Sequence, residues 1–257
     1  MKPPLPEGAA RLIQLRDIGA IWLPDLRPQA FGRDNWGKVN RFDLVFDGPP
    51  IGLGPAFVDT AIARSFRMVF ADGQDWDATP FFTAAMKRID AGLPRWGCAT
   101  RAALLHRLNT DIRALHASMH EHGFLTQEQI GARLHAGDAK ALERFARGYS
   151  ASLQPSHNIK IGLNEAGQVL FLDGRHRLAI ALVLDLTPVP VRVVFRHADW
   201  HQIRQAIGAA AGPGAAPWVA EHPDLEHLAV PDAALPALRE TLAARGLRCP
   251  AFRPATA

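Results

Sequence analysis

The sequence predicts an α/β (α+β) fold in which a mixed sheet is flanked by helices, and two neighbouring patterns favour it most strongly. Residues 169–172 form a short apolar run that Asp173 and Gly174 interrupt, and an apolar stretch long enough for a helix opens directly afterwards. Residues 189–195 are rich in β-branched side chains and apolar enough for a buried strand. The chain therefore runs from a strand through a sharp turn into a helix, and then into a second strand.

The residues before this turn predict a β-hairpin. Ile159, Ile161 and Leu163 alternate with other residues and fall on one face of a strand. Residues 164–167 have the length and composition of a hairpin turn, and the chain then returns through residues 169–172. The hairpin leads straight into the interruption at Asp173.

Residues 95–148 are predicted to be helical. Apolar side chains recur there at spacings of three and four up to a stop at Gly123, namely Leu104, Leu108, Ile112, Leu115 and Met119. A capping box at 126–129 predicts a second helix, and Asp138 caps a third. The pattern of residues 1–94 predicts strands within 11–23 and 41–47, and a helix from 79 or 80 to 89. Residues 58–70 are predicted to be a helix, or a helix that leads into a strand.

These patterns divide the chain into three parts. Residues 1–94 form an N-terminal extension that is expected to pack on the core. Residues 95–204 form the core domain. Residues 205–257 are predicted to be an alanine-, glycine- and proline-rich linker followed by a C-terminal helical tail.

Composition narrows the class of protein. Of 257 residues, 48% are hydrophobic and 21% are charged, which is typical of a globular chain rather than a disordered or fibrous one. The net charge of +4 is compatible with an anionic partner, but it is mild, and a slightly basic protein is favoured over one that binds nucleic acid. The two cysteines, Cys98 and Cys249, are expected to be free thiols in a reducing, cytoplasmic setting. No apolar run has the length of a membrane span or of a signal-peptide core, so no membrane partner is expected.

Three side chains that can carry positive charge follow the strand at once. Arg175, His176 and Arg177 stand where a helix begins, and a helix N-terminus offers unpaired N–H groups and a positive dipole end. That combination predicts an anion site, most simply for phosphate, with Gly174 allowing close backbone approach. Alternatively, Arg177 pairs with a carboxylate and His176 caps a carbonyl, with no ligand.

Asp173 has several open roles. It would cap the helix, hold an arginine, bind a metal ion beside a phosphate, or act as a base.

Arg196 and His197 end the second strand. In open α/β sheets ligands bind at the carboxyl ends of strands, so both side chains are expected to face the same pocket as the motif. The alternative is a strand-end loop that is anchored by Trp200. His116, His120 and His122 lack the order of a zinc motif and are expected on a solvated helix face, so no metal site is predicted.

The segment Asp173-Gly-Arg-His-Arg177, its helix and the following strand resemble the ParB/sulfiredoxin-like superfamily over roughly residues 95–200. That group includes CTP-binding partition proteins, sulfiredoxins and free serine kinases. The resemblance implies a mixed sheet and a nucleotide ligand. The spacing of Asp173, Gly174 and Arg177 is closest to the free serine kinases, although residues 96–102 lack the glutamate that those kinases use.

Two other branches of the superfamily fit less well. Arg175 occupies the position of the catalytic cysteine of sulfiredoxins, which excludes their chemistry because no thiol stands there. Arg175 also replaces the acidic residue of the partition proteins, and no helix-turn-helix pattern follows the motif.

Two functional hypotheses result. The first is a nucleotide- or phosphate-binding protein that takes a nucleoside triphosphate or diphosphate with Mg²⁺, or a phosphorylated small molecule. Its ligands would be Gly174, Arg175, His176, Arg177, Arg196 and His197, and in its narrower form, an ATP- or ADP-dependent small-molecule kinase, Asp173 and His176 would be catalytic. The second is a non-catalytic DNA-binding or regulatory module. A carboxylate within reach of the anion favours the first, and an extended basic surface favours the second.

Overall fold

The fold is centred on a six-stranded mixed sheet. The computed structural model describes residues 11–13, 20–21, 43–51, 55–125, 159–213 and 217–255, together with positions 129 and 132. Within these residues the sheet has the order β1-β6-β4-β5-β2, and β3 also pairs with β6. Its strands are β1 (Arg11–Ile13), β2 (Ala20–Ile21), β3 (Leu44–Phe46), β4 (Ile159–Leu163), β5 (Val169–Asp173) and β6 (Val189–His197).

The predicted hairpin and the strand after it form the centre of this sheet. β4 and β5 pair antiparallel, as the alternation of residues 157–163 predicts. Helix α5 (Arg175–Val183) then carries the chain across the sheet, so that β6 lies parallel to β4 on its other side. Each of these strands is buried along almost its whole length. The α/β fold class is confirmed.

The N-terminal extension belongs to the sheet itself. β1 pairs antiparallel with the first residues of β6, and β3 pairs parallel with its last three. β2 pairs parallel with β5 at the opposite edge. The prediction that residues 1–94 pack on a separate core is therefore too simple, because strands from this segment line both edges of the sheet.

Three helices begin directly after threonine caps, and the one from Pro80 begins where the sequence predicts it. Thr60, Thr79 and Thr100 each accept a backbone N–H with the side-chain oxygen and so cap α1 (Ala61–Phe70), α2 (Pro80–Asp90) and α3 (Arg101–Arg107). A π-helical turn, Leu108–Ile112, joins α3 to α4 (Arg113–His122), which ends before Gly123 as predicted. The capping box at 126–129 and the helix that Asp138 would cap lie outside the described residues, except for position 129.

The main core lies between the sheet and helices α1 and α5. Phe66 of α1 is fully buried, and so are Ala179 and Ala181 of α5. Both alanines are small, so α5 adds little side-chain volume to the core at these two positions. Phe57 and Phe171 add an aromatic contact over the sheet, with ring centroids 4.7 Å apart. This packing fixes the start of α5 relative to α1.

The C-terminal region contains the helix of the predicted tail and, in addition, elements that the sequence did not predict. α6 (Ala198–Ala210) runs through the predicted boundary at residue 204. Beyond it, β7 (Trp218–Ala220), β8 (Ala229–Val230) and β9 (Phe252–Pro254) form a three-stranded antiparallel sheet beside α7 (Leu235–Ala244). Strands of two or three residues are too short to give a periodic pattern, which is why the sequence did not reveal them.

The cysteines and the helix lengths agree with the sequence analysis. Cys98 and Cys249 are both free thiols. Among the helices that the structure describes, none combines the length and the apolar character that a membrane span requires.

Gly174 should be intolerant of any side chain. It has φ +93°, and an added Cβ would lie 2.9 Å from the backbone Cα of Ile159. We expect Gly174→Ala to lower the free energy of unfolding by about 1–3 kcal/mol, because the left-handed conformation and the contact both disfavour it. Gly208→Ala, within α6 and with nothing near its Cβ position, is the control and should be neutral or stabilise by about 0.5–1 kcal/mol. Equal melting temperatures for the two variants would contradict this view of the junction.

Candidate functional site

The candidate site forms where β5 turns into α5. Gly174 has φ +93° and ψ 26°, and no side chain caps the helix. The junction therefore turns the chain within one residue, and the first N–H groups of α5 have no partner within the helix. The positive end of the helix dipole adds to this environment. The next residues, Arg175 and His176, thus sit at a helix end that favours negative charge.

His176 lies under this helix end, between aromatic rings. Its imidazole stacks on Phe66 with centroids 6.0 Å apart, and Trp96 packs edge-on against it at 4.5 Å. The Nε2 atom is buried and has no hydrogen-bond partner among the described residues. Burial, followed by the positive charges of Arg175, Arg95 and Arg107, lowers the pKa of His176 to about 3. The imidazole is therefore neutral at physiological pH.

Among the residues that the structure describes, the charged groups that act on His176 are all arginines. Arg175 is exposed on α5, Arg95 comes from the turn after α2, and Arg107 comes from the end of α3. Burial and the charges of Arg175 and Arg88 lower the pKa of Arg95, so these cations are close enough to repel one another. Among the described residues, Arg107 has a carboxylate neighbour, Asp111 at 3.4 Å, whereas Arg95 and Arg175 have none. The cluster is thus strongly positive.

A strained turn holds the cluster together. Arg95 and Cys98 exchange backbone hydrogen bonds, and the two residues between them, Trp96 and Gly97, have φ +52° and +75°. A positive φ is costly for a residue as large as tryptophan. The turn places the Trp96 ring against His176, and the Arg95 guanidinium lies 5.5 Å from the centroid of that ring. Arg107 donates a hydrogen bond to the carbonyl oxygen of Trp96. Trp96 therefore positions two of the three arginines.

Arg177 points into the protein instead. Its side chain is buried, it donates a hydrogen bond to the carbonyl oxygen of Leu125, and its guanidinium carbon lies 4.2 Å from the centroid of the Phe124 ring. The alternative reading of the motif, a structural arginine, is thus closer to the observed geometry than the reading as a phosphate ligand. Two of its contacts are thus a carbonyl oxygen and an aromatic ring.

Asp173 ends β5 beside a buried lysine. A carboxylate oxygen of Asp173, about one-third exposed, lies 3.9 Å from the Nζ atom of Lys160, whose side chain is fully buried on β4. Burial lowers the pKa of Lys160, and the Asp173 carboxylate opposes that effect. Asp173 does not cap α5, which has no side-chain cap. Asp173 is therefore a partly exposed carboxylate beside the junction, in contact with the buried Lys160.

Arg196 lies at the other end of the sheet, which corrects the expectation of a shared pocket. β5 and β6 flank β4 and run in opposite directions, so Lys160 of β4 pairs with Asp173 on one side and with Arg192 on the other, whereas Arg196 pairs with Leu163. Arg192 and Arg196 are four residues apart on β6, so roughly 13 Å separates the Asp173 end of the sheet from the Arg196 end. The rule that strand ends converge holds only for strands that run the same way.

The guanidinium of Arg196 is buried in an ion-pair network. It donates two hydrogen bonds to Asp224, one of them 2.7 Å long, and another to Asp43. Although burial opposes the charge, these two carboxylates raise the pKa of Arg196. Burial alone would raise the pKa of Asp224, but hydrogen bonding to Arg196 and its charge outweigh that effect and lower it. The Trp200 indole N–H also donates to Asp224, so Trp200 is the anchor that the alternative reading expected.

His197 caps α6 and is also occupied. Its Nδ1 accepts a hydrogen bond from the backbone N–H of Asp199, and its Nε2 lies 2.9 Å from the carbonyl oxygen of Gly48. With Nδ1 as an acceptor, Nε2 carries the proton and donates to Gly48. The side chain joins β6 to the segment after β3. Neither Arg196 nor His197 is available at the start of α5.

Sequence reasoning missed Arg95, Arg107, Trp96 and Lys160. Arg95 and Arg107 lie about 70–80 residues before the motif, and only the packing of α1, α3 and α5 brings them to it. A partial signal existed in the dipeptide Trp96-Gly97, which is typical of a tight turn. The alternation of Ile159, Ile161 and Leu163 gives no sign that Lys160, which lies between two of them, is also buried.

No protein-family model, curated protein or solved structure matches this chain, so its function is argued from the site alone. Chemically, the start of α5 combines a positive helix end, two uncompensated arginines, a neutral imidazole and a nearby carboxylate. Within the described residues no group of three or more metal-ligating side chains is present.

Removal of the Asp224 charge should expose the structural role of Arg196. Asp224→Asn leaves a buried guanidinium without its main counter-charge, and we expect a loss of about 3–5 kcal/mol in the free energy of unfolding. Asp77→Asn breaks the exposed ion pair with Arg101 and should cost less than about 1 kcal/mol. Urea denaturation measures both, and equal costs would contradict a buried network.

The ion pair between Asp224 and Arg196 should also make the stability of the wild-type protein fall at acidic pH. The pKa of Asp224 is depressed in the folded state, so its stabilising contribution is present above the unfolded pKa of ~3.9 and is lost as the pH falls through the lower folded value. Asp224→Asn should therefore flatten the fall in stability below about pH 4. An unchanged acid profile would mean that other groups cause it.

Arg177 and Arg175 should respond differently to truncation. Arg177→Ala removes a buried hydrogen bond and leaves the Leu125 carbonyl without it, which should cost about 1–3 kcal/mol of unfolding free energy. Arg175→Ala, two positions earlier on the same helix, is exposed and should change stability by less than about 0.5 kcal/mol. If instead the Arg177 variant kept full stability, its buried contacts would contribute nothing.

Proposed function

We propose that this protein binds a phosphate-bearing small molecule, a nucleotide or another phosphorylated metabolite, at the start of α5. One observation carries the proposal: within the described residues, the charged groups that act on the half-buried His176 are all arginines, and two of them have no carboxylate partner there. Like charges at a helix end that is itself positive destabilise the free protein, and a bound anion relieves this repulsion.

Each group has a distinct part in such a site. Arg95 and Arg175 would hold phosphate oxygens with charge-assisted hydrogen bonds, and the first N–H groups of α5 would approach them from below. Gly174 keeps the junction free of a side chain. His176 would stay neutral and add no charge to the site, because its Nε2 atom is buried and the pKa of its imidazole lies at about 3. Arg177, Arg196 and His197 drop out of the proposed ligand set because their groups are engaged elsewhere.

Phosphoryl transfer is the narrower form of this proposal. Asp173 supplies a carboxylate beside the junction, and phosphotransfer needs such a group to orient an acceptor or a metal ion. Mg²⁺ is commonly held by one or two carboxylates together with the phosphates of the nucleotide, so a single aspartate suits an ion that arrives with its ligand. His176, with a pKa of about 3, is a poor general base at neutral pH, which leaves Asp173 as the catalytic candidate.

The resemblance to the ParB/sulfiredoxin-like superfamily supports the same reading. The order of hairpin, glycine turn, helix and parallel strand agrees with what that resemblance implies. The buried Arg177 departs from it, because the family's arginine is a ligand. In this chain Arg95 and Arg175 would take over that task.

Nucleotide binding by arginine variants tests the proposal. A thermal-shift screen with ATP, ADP, CTP and GTP, with and without Mg²⁺, should give at least one stabilising ligand. Arg95→Gln and Arg175→Gln should each lower the affinity for that ligand by about one to two decades, because a charged hydrogen bond contributes about 1.5–3 kcal/mol.

Arg245→Gln is the control. This arginine is exposed and follows α7, so the substitution removes the same charge outside the proposed site. Its affinity should match that of the wild-type protein. Equal weakening in all three variants would point to a general charge effect, and the absence of any ligand in the screen would refute nucleotide binding.

A further inference from the structure

We propose that the site at the start of α5 selects phosphate groups with two negative charges, as in phosphate monoesters and terminal phosphates, over singly charged phosphodiesters. This inference rests on the proposed function and narrows the ligand within it. It is carried by the balance of charges around Arg95, Arg175 and His176.

The cluster has two positive charges without a counter-charge. Arg107 faces Asp111 at 3.4 Å, so that pair is close to neutral. Neither Arg95 nor Arg175 forms an ion pair with any residue that the structure describes, and each is near enough for its charge to affect the other. A dianion matches these two charges. A monoanion leaves one of them opposed only by solvent, at a helix end that is already positive.

The charge of the His176 imidazole does not change over the pH range in which the ligand titrates. The groups packed around His176 are Arg175 on its own helix, Phe66 on α1, Trp96 and Arg95 on the turn, and Arg107 on α3. No carboxylate of the described part of the chain is among them, and the pKa of His176 lies at about 3. The imidazole therefore stays neutral above about pH 5, and the pH dependence of binding follows the ligand rather than the protein.

The inference also separates the two functional hypotheses. Each phosphate along a nucleic-acid backbone is a diester with a single charge, so a polymer strand presents the disfavoured form at this site. A terminal phosphate of a nucleotide or a sugar phosphate presents the favoured one. The site thus fits a small phosphorylated molecule better than a strand of DNA or RNA.

Titration calorimetry with methyl phosphate, dimethyl phosphate and sulfate tests this inference. The full-length protein is used at constant ionic strength, because salt screens exposed arginines. At neutral pH, methyl phosphate should bind at least about tenfold more tightly than dimethyl phosphate, since one unmatched charge is worth about 1.4 kcal/mol or more. Arg175→Gln should reduce this ratio, and Arg245→Gln should leave it unchanged.

The pH dependence provides a second, independent readout. With a second pKa near ~6, methyl phosphate loses about 90% of its dianion between pH 7.5 and pH 5, so its affinity should fall about tenfold. Sulfate keeps both charges over this range, and its affinity should change much less. If His176 titrated instead, sulfate would bind more tightly at the lower pH.

The outcomes distinguish the inference from the proposed function. Equal binding of methyl and dimethyl phosphate, or an affinity for methyl phosphate that does not depend on pH, would overturn the dianion preference and leave phosphate binding intact. Tighter binding of a single-stranded oligonucleotide without a terminal phosphate would also overturn it and favour the nucleic-acid hypothesis. If none of these anions bound, the proposed function itself would fail and the inference with it.

Discussion

The turn at Gly174 is the constraint on which the rest of the structure depends. β5 and α5 meet within one residue, in a left-handed conformation that no side chain can follow without meeting Ile159. Because α5 also packs on α1, this turn fixes where the helix begins relative to Phe66. His176 therefore packs against the rings of Phe66 and Trp96, whereas Arg175 is exposed to solvent. One backbone position thus separates the buried and exposed halves of the candidate site.

The arginines at the two ends of the sheet differ in whether carboxylates balance their charge. At one end of the sheet, Arg196 is buried and its charge is balanced by Asp224 and Asp43, as expected for a structural ion pair. At the other end, Arg95 and Arg175 lie near the surface without a carboxylate among the described residues. Repulsion of this kind lowers stability and gives the folded chain no benefit of its own. We interpret the uncompensated cluster as a site that an anion completes, and the balanced cluster as part of the framework.

The sequence predicted what local patterns determine and missed what tertiary packing determines. The hairpin, the turn at Gly174 and the strand β6 follow from alternation, turn residues and β-branched content, and all three were found. The direction of β5 relative to β6 does not follow from either strand alone, so Arg196 was assigned to the wrong end of the sheet. Arg95 and Arg107 are distant in sequence and reach His176 only through the packing of three helices. Arg177 shows the same limit, because its neighbours in the motif cannot reveal that it turns toward Leu125.

Titration of the His176 imidazole by NMR tests the central claim most directly, namely that this residue sits in a buried and wholly positive environment which an anion completes. In the free protein the imidazole should remain neutral down to about pH 4, consistent with a pKa of about 3. Saturating sulfate should raise that pKa, because a bound anion stabilises the imidazolium. A pKa near the ordinary value of ~6.5 that sulfate does not change would contradict the account, since it would place His176 in solvent and away from any anion.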